Sequence, residues 1–493
     1  MGSTTHTAGT GSMGAHGNTY PSTVHNGTNA NMRGGTNTST MHGGTNGNAR
    51  PGTAGNMAGR NASTAPGHTG NAMGNAARNG PAGHMAPNRT PPGHQVSLRG
   101  GGTASIRPNG QIRSISRNGM QIQHGMHGGR TIVSTHNGAR VVTTGHNGGY
   151  VQRNYVVRNG NTYVSRTYVV NNVTYTSVYR SYSYGGYCCY YGYAPAYYWH
   201  PVYYGWAYNP WPAPVYYGWG WAPEPWYVYY SPYYYAPYPV YPSAAFWITD
   251  WMIAASLQAS YAATVEVGQL DPLGPDFPLV AGLGRIPVAP DASKNVVLTK
   301  EVKDQLAEEI KTQLAADQAD ASKPKSSGGN SSGTGQASSS GTLPALDPKW
   351  HTFVVHNELS VVADGDECSL TEGDVISRVS DKPDADKNLD VKVLASKKND
   401  CAVGKQVAVS LDDLQEMHNH FREQISGGME ELSKKQGTGG LPKAPDNGKQ
   451  DGEVPAPAAD SSAAKALKEQ QADADKTEGE VKQEAASSGR GSQ

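Results

Sequence analysis

Residues 181–251 read SYSYGGYCCYYGYAPAYYWHPVYYGWAYNPWPAPVYYGWGWAPEPWYVYYSPYYYAPYPVYPSAAFWITDW. This stretch holds eight of the nine Trp and most of the 29 Tyr, with Pro or Gly every few residues. Before it the chain has no Asp, Glu or Lys, and nearly all the acidic residues follow it. Pro fixes φ and lacks an amide donor, so regular helices and strands are not expected through 183–242. A bare linker is not expected either, because so many rings are costly to leave in water. The sequence therefore predicts an extended, polyproline-II-like belt whose rings pack on the preceding sheet and the following helix. Trp206, Trp211, Trp219, Trp221 and Trp226 are its candidate packing or binding residues. Displayed rather than packed, such rings suit the flat face of a glycan or the surface of an envelope protein.

Upstream, residues 99–182 alternate runs of Ile, Val, Tyr and Thr with Asn-Gly pairs: Asn109-Gly110, Asn118-Gly119, Asn137-Gly138, Asn147-Gly148 and Asn159-Gly160. Asn-Gly supplies the positive φ of type I′ turns, so this region predicts an antiparallel hairpin meander. Its arginines are expected to be solvated or stacked on Tyr. Residues 1–98 are Gly, Asn, Thr, Ala and His without apolar period, and read as disordered. Their histidines are too scattered to define a metal site.

Downstream, 243–266 reads as an apolar helix, packed rather than membrane-spanning because Asp250 and Gln258 interrupt it. Asp250 is expected at the surface or tied to an Arg. Residues 267–297 read as an irregular loop. Residues 298–320 form a charged helix capped by Thr299, with a Val302, Leu306, Ile310, Leu314 stripe suited to docking or self-association. A Ser/Gly linker covers 321–342. Residues 343–436 show short strands and a terminal helix capped by Ser410, the pattern of a small SH3-like β-barrel that folds by itself. Residues 437–493 read as a disordered charged tail. The fold class expected is mainly β with two or three helices and long disordered ends.

The net charge of zero hides a split between an Arg-bearing first half and an acidic second half. Two readings follow: an anion-binding half, or two parts of one chain that attract each other. Cys368 and Cys401 are the candidate disulfide, whereas the adjacent Cys188 and Cys189 are disfavoured by ring strain. Met1–Thr10 shows no basic and apolar leader pattern, which predicts either an intracellular protein or a start further upstream.

The Asn-Gly hairpins, YGWAYNPWPAPVYYGWGW at 204–221, WITDW at 247–251 and VSLDDLQEMHNHFREQ at 409–424 together resemble a group of bacterial exported Tyr/Trp/Pro-rich proteins of uncharacterised activity. The resemblance spans roughly residues 100–445 and implies an envelope or extracellular location, with no catalytic residues to carry over. HExxH and Walker A motifs are missing from the sequence, and the bare GxSxG string at 329–333 and GxGxxG string at 9–14 lie in Gly-rich tracts without a strand–turn–helix pattern, so no enzyme, cofactor or metal is expected. The acidic group Asp364, Asp366, Glu367 and Asp374 reads as solvation rather than a Ca²⁺ site. The leading expectation is a non-enzymatic envelope or cell-surface protein with a β-barrel binding module and an aromatic belt. One alternative is a single-stranded nucleic-acid binder using Arg, Gly and Tyr, disfavoured by the lack of an Arg-dense patch. Another is a hydrolase with an unrecognised site.

Overall fold

Asn118-Gly119, Asn137-Gly138 and Asn159-Gly160 take positive φ at both positions, as type I′ turns require. Each joins neighbouring strands in a computed structural model that describes residues 91–144, 148–170, 173–266, 279–280, 284–285, 298–323 and 342–488. Ten strands follow in order: β1 (His94–Ser97), β2 (Thr103–Ile106), β3 (Ile112–Arg117), β4 (Met120–His124), β5 (Arg130–His136), β6 (Ala139–Thr144), β7 (Gly148–Arg158), β8 (Asn161–Val170), β9 (Val173–Tyr184) and β10 (Tyr187–Ala194). They make one antiparallel sheet in which each strand pairs with the next. The meander thus runs beyond the expected boundary at 182. Gly185-Gly186 supplies a further pair of positive φ angles and turns β9 into β10.

The belt differs from the expectation. After β11 (Tyr197–Trp199) come two short helices, α1 (Pro201–Tyr208) and α2 (Pro225–Tyr230). Pro201 and Pro225 sit in the first turn of each, where a missing amide donor removes no helical hydrogen bond. The rings pack on the following helix, as expected, but on two further helices in place of the sheet. Tyr203, Tyr204, Trp211, Trp226 and Tyr234 share a core with three helices, α3 (Ala244–Glu266), α4 (Lys300–Ala321) and α5 (Leu411–Lys435), not with the centre of the sheet. Trp219 stacks between Trp221 and Trp247, with ring centroids 4.2 and 4.7 Å apart. Burying rings on this scale offsets the entropy of ordering a Pro-rich segment, at about 1.5–3 kcal/mol for each large side chain.

The stripe Val302, Leu306, Ile310 and Leu314 of α4 is buried in that same core. It is consumed within the chain and is not open to self-association. Among the described residues no helix is long and apolar enough to cross a membrane. Two two-residue strands, β12 (Leu279–Val280) and β13 (Gly284–Arg285), pair with each other. The expectations for 1–98, 267–297 and 321–342 otherwise lie almost entirely outside the described residues.

Residues 343–436 hold six strands: β14 (Thr352–Val354), β15 (Leu359–Ala363), β16 (Asp366–Leu370), β17 (Val375–Arg378), β18 (Asn388–Ala395) and β19 (Gln406–Ser410). They form a four-stranded sheet ordered β14-β17-β18-β19 and a separate β15-β16 hairpin, not one closed barrel. Ser410 caps α5 by accepting from Asp413 N at 3.1 Å. Leu414 and Met417 of α5 face this module, while Phe421, Ile425 and Met429 enter the aromatic core. Gly428 lets α3 come close, since a Cβ there would lie 2.9 Å from Ile248 Cγ2.

The charged tail is the second difference. After β20 (Lys449–Asp451), which pairs with β11, a helix α6 (Ala463–Ser488) lies on the sheet. Ala463, Leu467, Gln470, Ala474, Glu478 and Val481 are buried at helical spacing. That face is built of small and polar groups, so it carries little hydropathy signal. Among the described residues the helices number six rather than two or three.

Because α5 serves two cores, excising 342–436 should leave Phe421, Ile425 and Met429 uncovered. The fragment is expected to bind a hydrophobic dye and melt without a sharp transition. A cooperative melt with no dye binding would show that the module stands alone.

Candidate functional site, the polar face of helix α5

Helix α5 has an apolar face, yet Gln415, His418, Asn419 and Gln424 on its other sides are buried too. Sheet, hairpin module and aromatic core surround it. Each buried polar group then needs a partner, since an unmet one costs about 1–3 kcal/mol. Asn419 donates to Tyr191 O at 2.8 Å and accepts from Tyr193 N at 2.9 Å, completing the free edge of β10. Gln415 Oε1 accepts from Ala345 N at 3.1 Å. Arg422 pairs with Asp317 of α4 at 2.5 Å.

The centre of this face is Arg166 of β8, whose side chain is fully excluded from water. Its two terminal nitrogens donate to Glu416 at 2.6 and 2.7 Å, and Nε donates to Gln152 Oε1 at 2.9 Å. The guanidinium also lies over the rings of Tyr150 and Tyr179, 4.4 and 4.0 Å from their centroids. Beside it, the Tyr168 and Tyr179 hydroxyls are 2.7 Å apart, and Tyr179 donates to Glu423.

The two carboxylates diverge in proton affinity. Burial would raise Glu416, but the adjacent Arg166 overrides that and holds it below the usual glutamate range. Glu423 has no such direct cation, and burial pushes it up to about 7. Burial likewise depresses His418 and His420 to about 3 and His356 to about 4. His418 lies against Trp350, whereas His420 stacks on His356 with centroids 5.4 Å apart. Among the described residues no group of His, Cys, Asp and Glu is arranged to hold a metal.

Asp250 is fully buried in the aromatic core, and neither solvated nor tied to an Arg. It accepts from Tyr238 N at 2.5 Å and Tyr241 OH at 2.8 Å, and pairs with Lys303 at 3.1 Å. Burial raises Asp250 and lowers Lys303, each opposed by the other's charge.

The acidic group in the module is dispersed. Glu367 takes Arg107 at 3.0 Å and Arg113 at 2.7 Å. Burial would raise Glu367, but hydrogen bonds from Arg113, Ser360 and Arg107 bring it down to about 2. Asp364 pairs with Lys405, and Asp374 is buried in its own turn, accepting from Thr371 N at 2.8 Å. Cys368 and Cys401 are joined by a disulfide with Cα atoms 5.2 Å apart. Cys188 and Cys189 lie side by side where the β9–β10 register shifts. Trp211 and Trp226 are buried, while Trp206, Trp219 and Trp221 are partly buried against the same core. Tyr216, at 78% exposure, is the most open ring of the belt.

Sequence reading expected the strand arginines, Arg166 among them, to be solvated or stacked on Tyr, and Arg166 is stacked, but it did not single out Glu416, Glu423 or Lys303. The available signal was the charge split itself: a strand arginine with no acid in its own half must find one far along the chain. Chemically, this face is a set of cross-links. Burial raises the proton affinity of Glu423 beside a pair of phenols, and a small cavity alongside, about 20 Å³ near Arg422 and Tyr197, has room for about one water.

Since the folded state raises Glu423 from 4.5 to about 7, its contribution to stability is complete below pH 4.5 and is lost as pH rises through 7. Glu423→Gln removes that loss. Urea melts should show the variant close to the native protein at low pH and more stable by about 1–3 kcal/mol at pH 8. An equal difference at both pH values would contradict the assignment. Comparison of the chain with protein-family models, with curated proteins and with solved structures gave no match.

Proposed function

We propose that this chain is a non-enzymatic binding protein of the bacterial envelope or cell surface. The observation that carries this reading is the use made of its reactive side chains. The carboxylates and arginines around α5 are paired with one another, joining α5 to the sheet and to α4. Groups spent in this way hold a scaffold together.

The Cys368–Cys401 disulfide supports an oxidising compartment, where such staples persist. It ties β16 to the loop after β18, in the same core as Val361 and Leu370. The β15–β16 hairpin sits beside β19, which supports reading the module as SH3-like. The exposed Tyr216, with Pro212, Pro214 and Pro223 also open, supports a contact rim on the belt for glycan or an envelope protein. The arginines weigh against the nucleic-acid alternative, because Arg107, Arg113, Arg117, Arg130, Arg153 and Arg166 are already paired with carboxylates.

Cell fractionation followed by non-reduced peptide mapping tests the proposal. The protein is expected in the envelope or medium with Cys368 and Cys401 linked. Recovery from the cytosol with both thiols free would overturn it.

A further inference from the structure

Helix α6 holds the sheet by charge and small side chains rather than by bulk. Leu467 and Val481 are its only large buried apolar groups, and the face beneath offers Ile122, Ile132, Val141 and Val151. At one end Arg117 meets Glu480 and Glu484 at 3.4 and 3.3 Å. In the middle Arg130 meets Asp475 and Glu478 at 2.5 and 3.1 Å. Nearer the start of α6, Gln470 donates to the carbonyl of Val141 at 2.7 Å and accepts from Thr143 at 2.6 Å. The segment 452–462 that leads to α6, GEVPAPAADSS, contains no helix or strand.

We propose that the sheet face beneath α6 is a receptor groove for an acidic amphipathic helix, and that α6 of a second copy of this chain is its partner in trans. The charge pattern selects the occupant. The groove is an apolar channel flanked by arginines on a stretch of chain that has no carboxylate, so its complement must be a helix with acids a turn apart and small groups between them. A second copy carries that helix identically. Nothing in the groove distinguishes one copy's helix from the other's. The resident α6 is kept close by 452–462, itself anchored on the sheet through Val454 and the Asp460–Arg153 pair, and such a tether acts through effective concentration, which rising protein concentration overcomes. Reciprocal exchange would keep every contact and link two copies. This inference does not depend on the compartment proposed above.

Two measurements test it. In the full chain carrying Glu480→Arg and Glu484→Arg, the resident helix is repelled by Arg117. A fluorescent peptide of residues 458–488 should then bind saturably, weakening about tenfold or more between about 50 and about 300 mM salt. The same peptide with both substitutions should bind this chain about tenfold more weakly still. No binding up to about 100 μM peptide, or equal binding by both peptides, would overturn the groove. With the native chain, ¹⁴N and ¹⁵N copies are mixed at high concentration and weighed intact by native mass spectrometry. Mixed dimers that disappear in a chain ending at residue 461 are expected. Monomers alone, or dimers that survive that truncation, would overturn exchange between copies.

Discussion

A ten-stranded sheet has been built from a part of the chain that contains no carboxylate, and one of its arginines is wholly excluded from water. A buried charge without a partner costs several kcal/mol, so this sheet cannot close over Arg166 unless the acidic half returns to meet it. Glu416 does so from 250 residues away. The other contacts repeat the arrangement: Glu367 to Arg107 and Arg113, Asp475 and Glu478 to Arg130, Asp460 to Arg153. The partly exposed pairs at Arg130 and Arg153 contribute only about 0–1 kcal/mol each, whereas Glu367 with Arg107 and Arg113 is buried. They fix register and choice of partner. Arg166 with Glu416, the buried Glu367 pairs and Asp250 with Lys303 are the ties whose loss the fold would feel.

Helix α5 is the other half of that constraint. It takes acids to the sheet on one side and apolar groups to the aromatic core on another. The core is unusual in burying an ion pair, Asp250 and Lys303, among tyrosines. Hydrogen bonds from Tyr238 and Tyr241, and the Tyr238 ring 3.8 Å from the ammonium, replace the water both groups gave up. The rings therefore do more than cover apolar surface, because they also solvate the charge that positions α3 against α4.

What was legible in the sequence follows from how local the controlling chemistry is. Asn-Gly turns announce themselves in two residues, and the meander could be drawn from them. Gly185-Gly186 makes the same kind of turn, but its tyrosine-rich surroundings disguised the strands on either side. Thr299 and Ser410 cap their helices by local bonds and were equally plain. The belt's packing was foreseeable from ring count and its contact with α3 from adjacency, whereas its other partners were not, since nothing near Trp211 or Trp226 points to α4 or α5. Helix α6 was hidden because alanine and glutamine make its buried face. At the site, the charge split announced that the two halves attract each other, but pairing Arg166 with Glu416, or Asp250 with Lys303, needs long-range geometry that spacing does not encode.

The claim that a carboxylate from the acidic half holds the sheet is tested most directly by a double-mutant cycle on Arg166 and Glu416, read by urea unfolding of the full chain. Arg166→Met alone and Glu416→Met alone should each destabilise by about 3–5 kcal/mol. The double variant should fall short of their sum by about 2 kcal/mol or more, the signature of a direct buried pair. Additive effects within about 0.5 kcal/mol would show that the two side chains act independently, and would contradict the account.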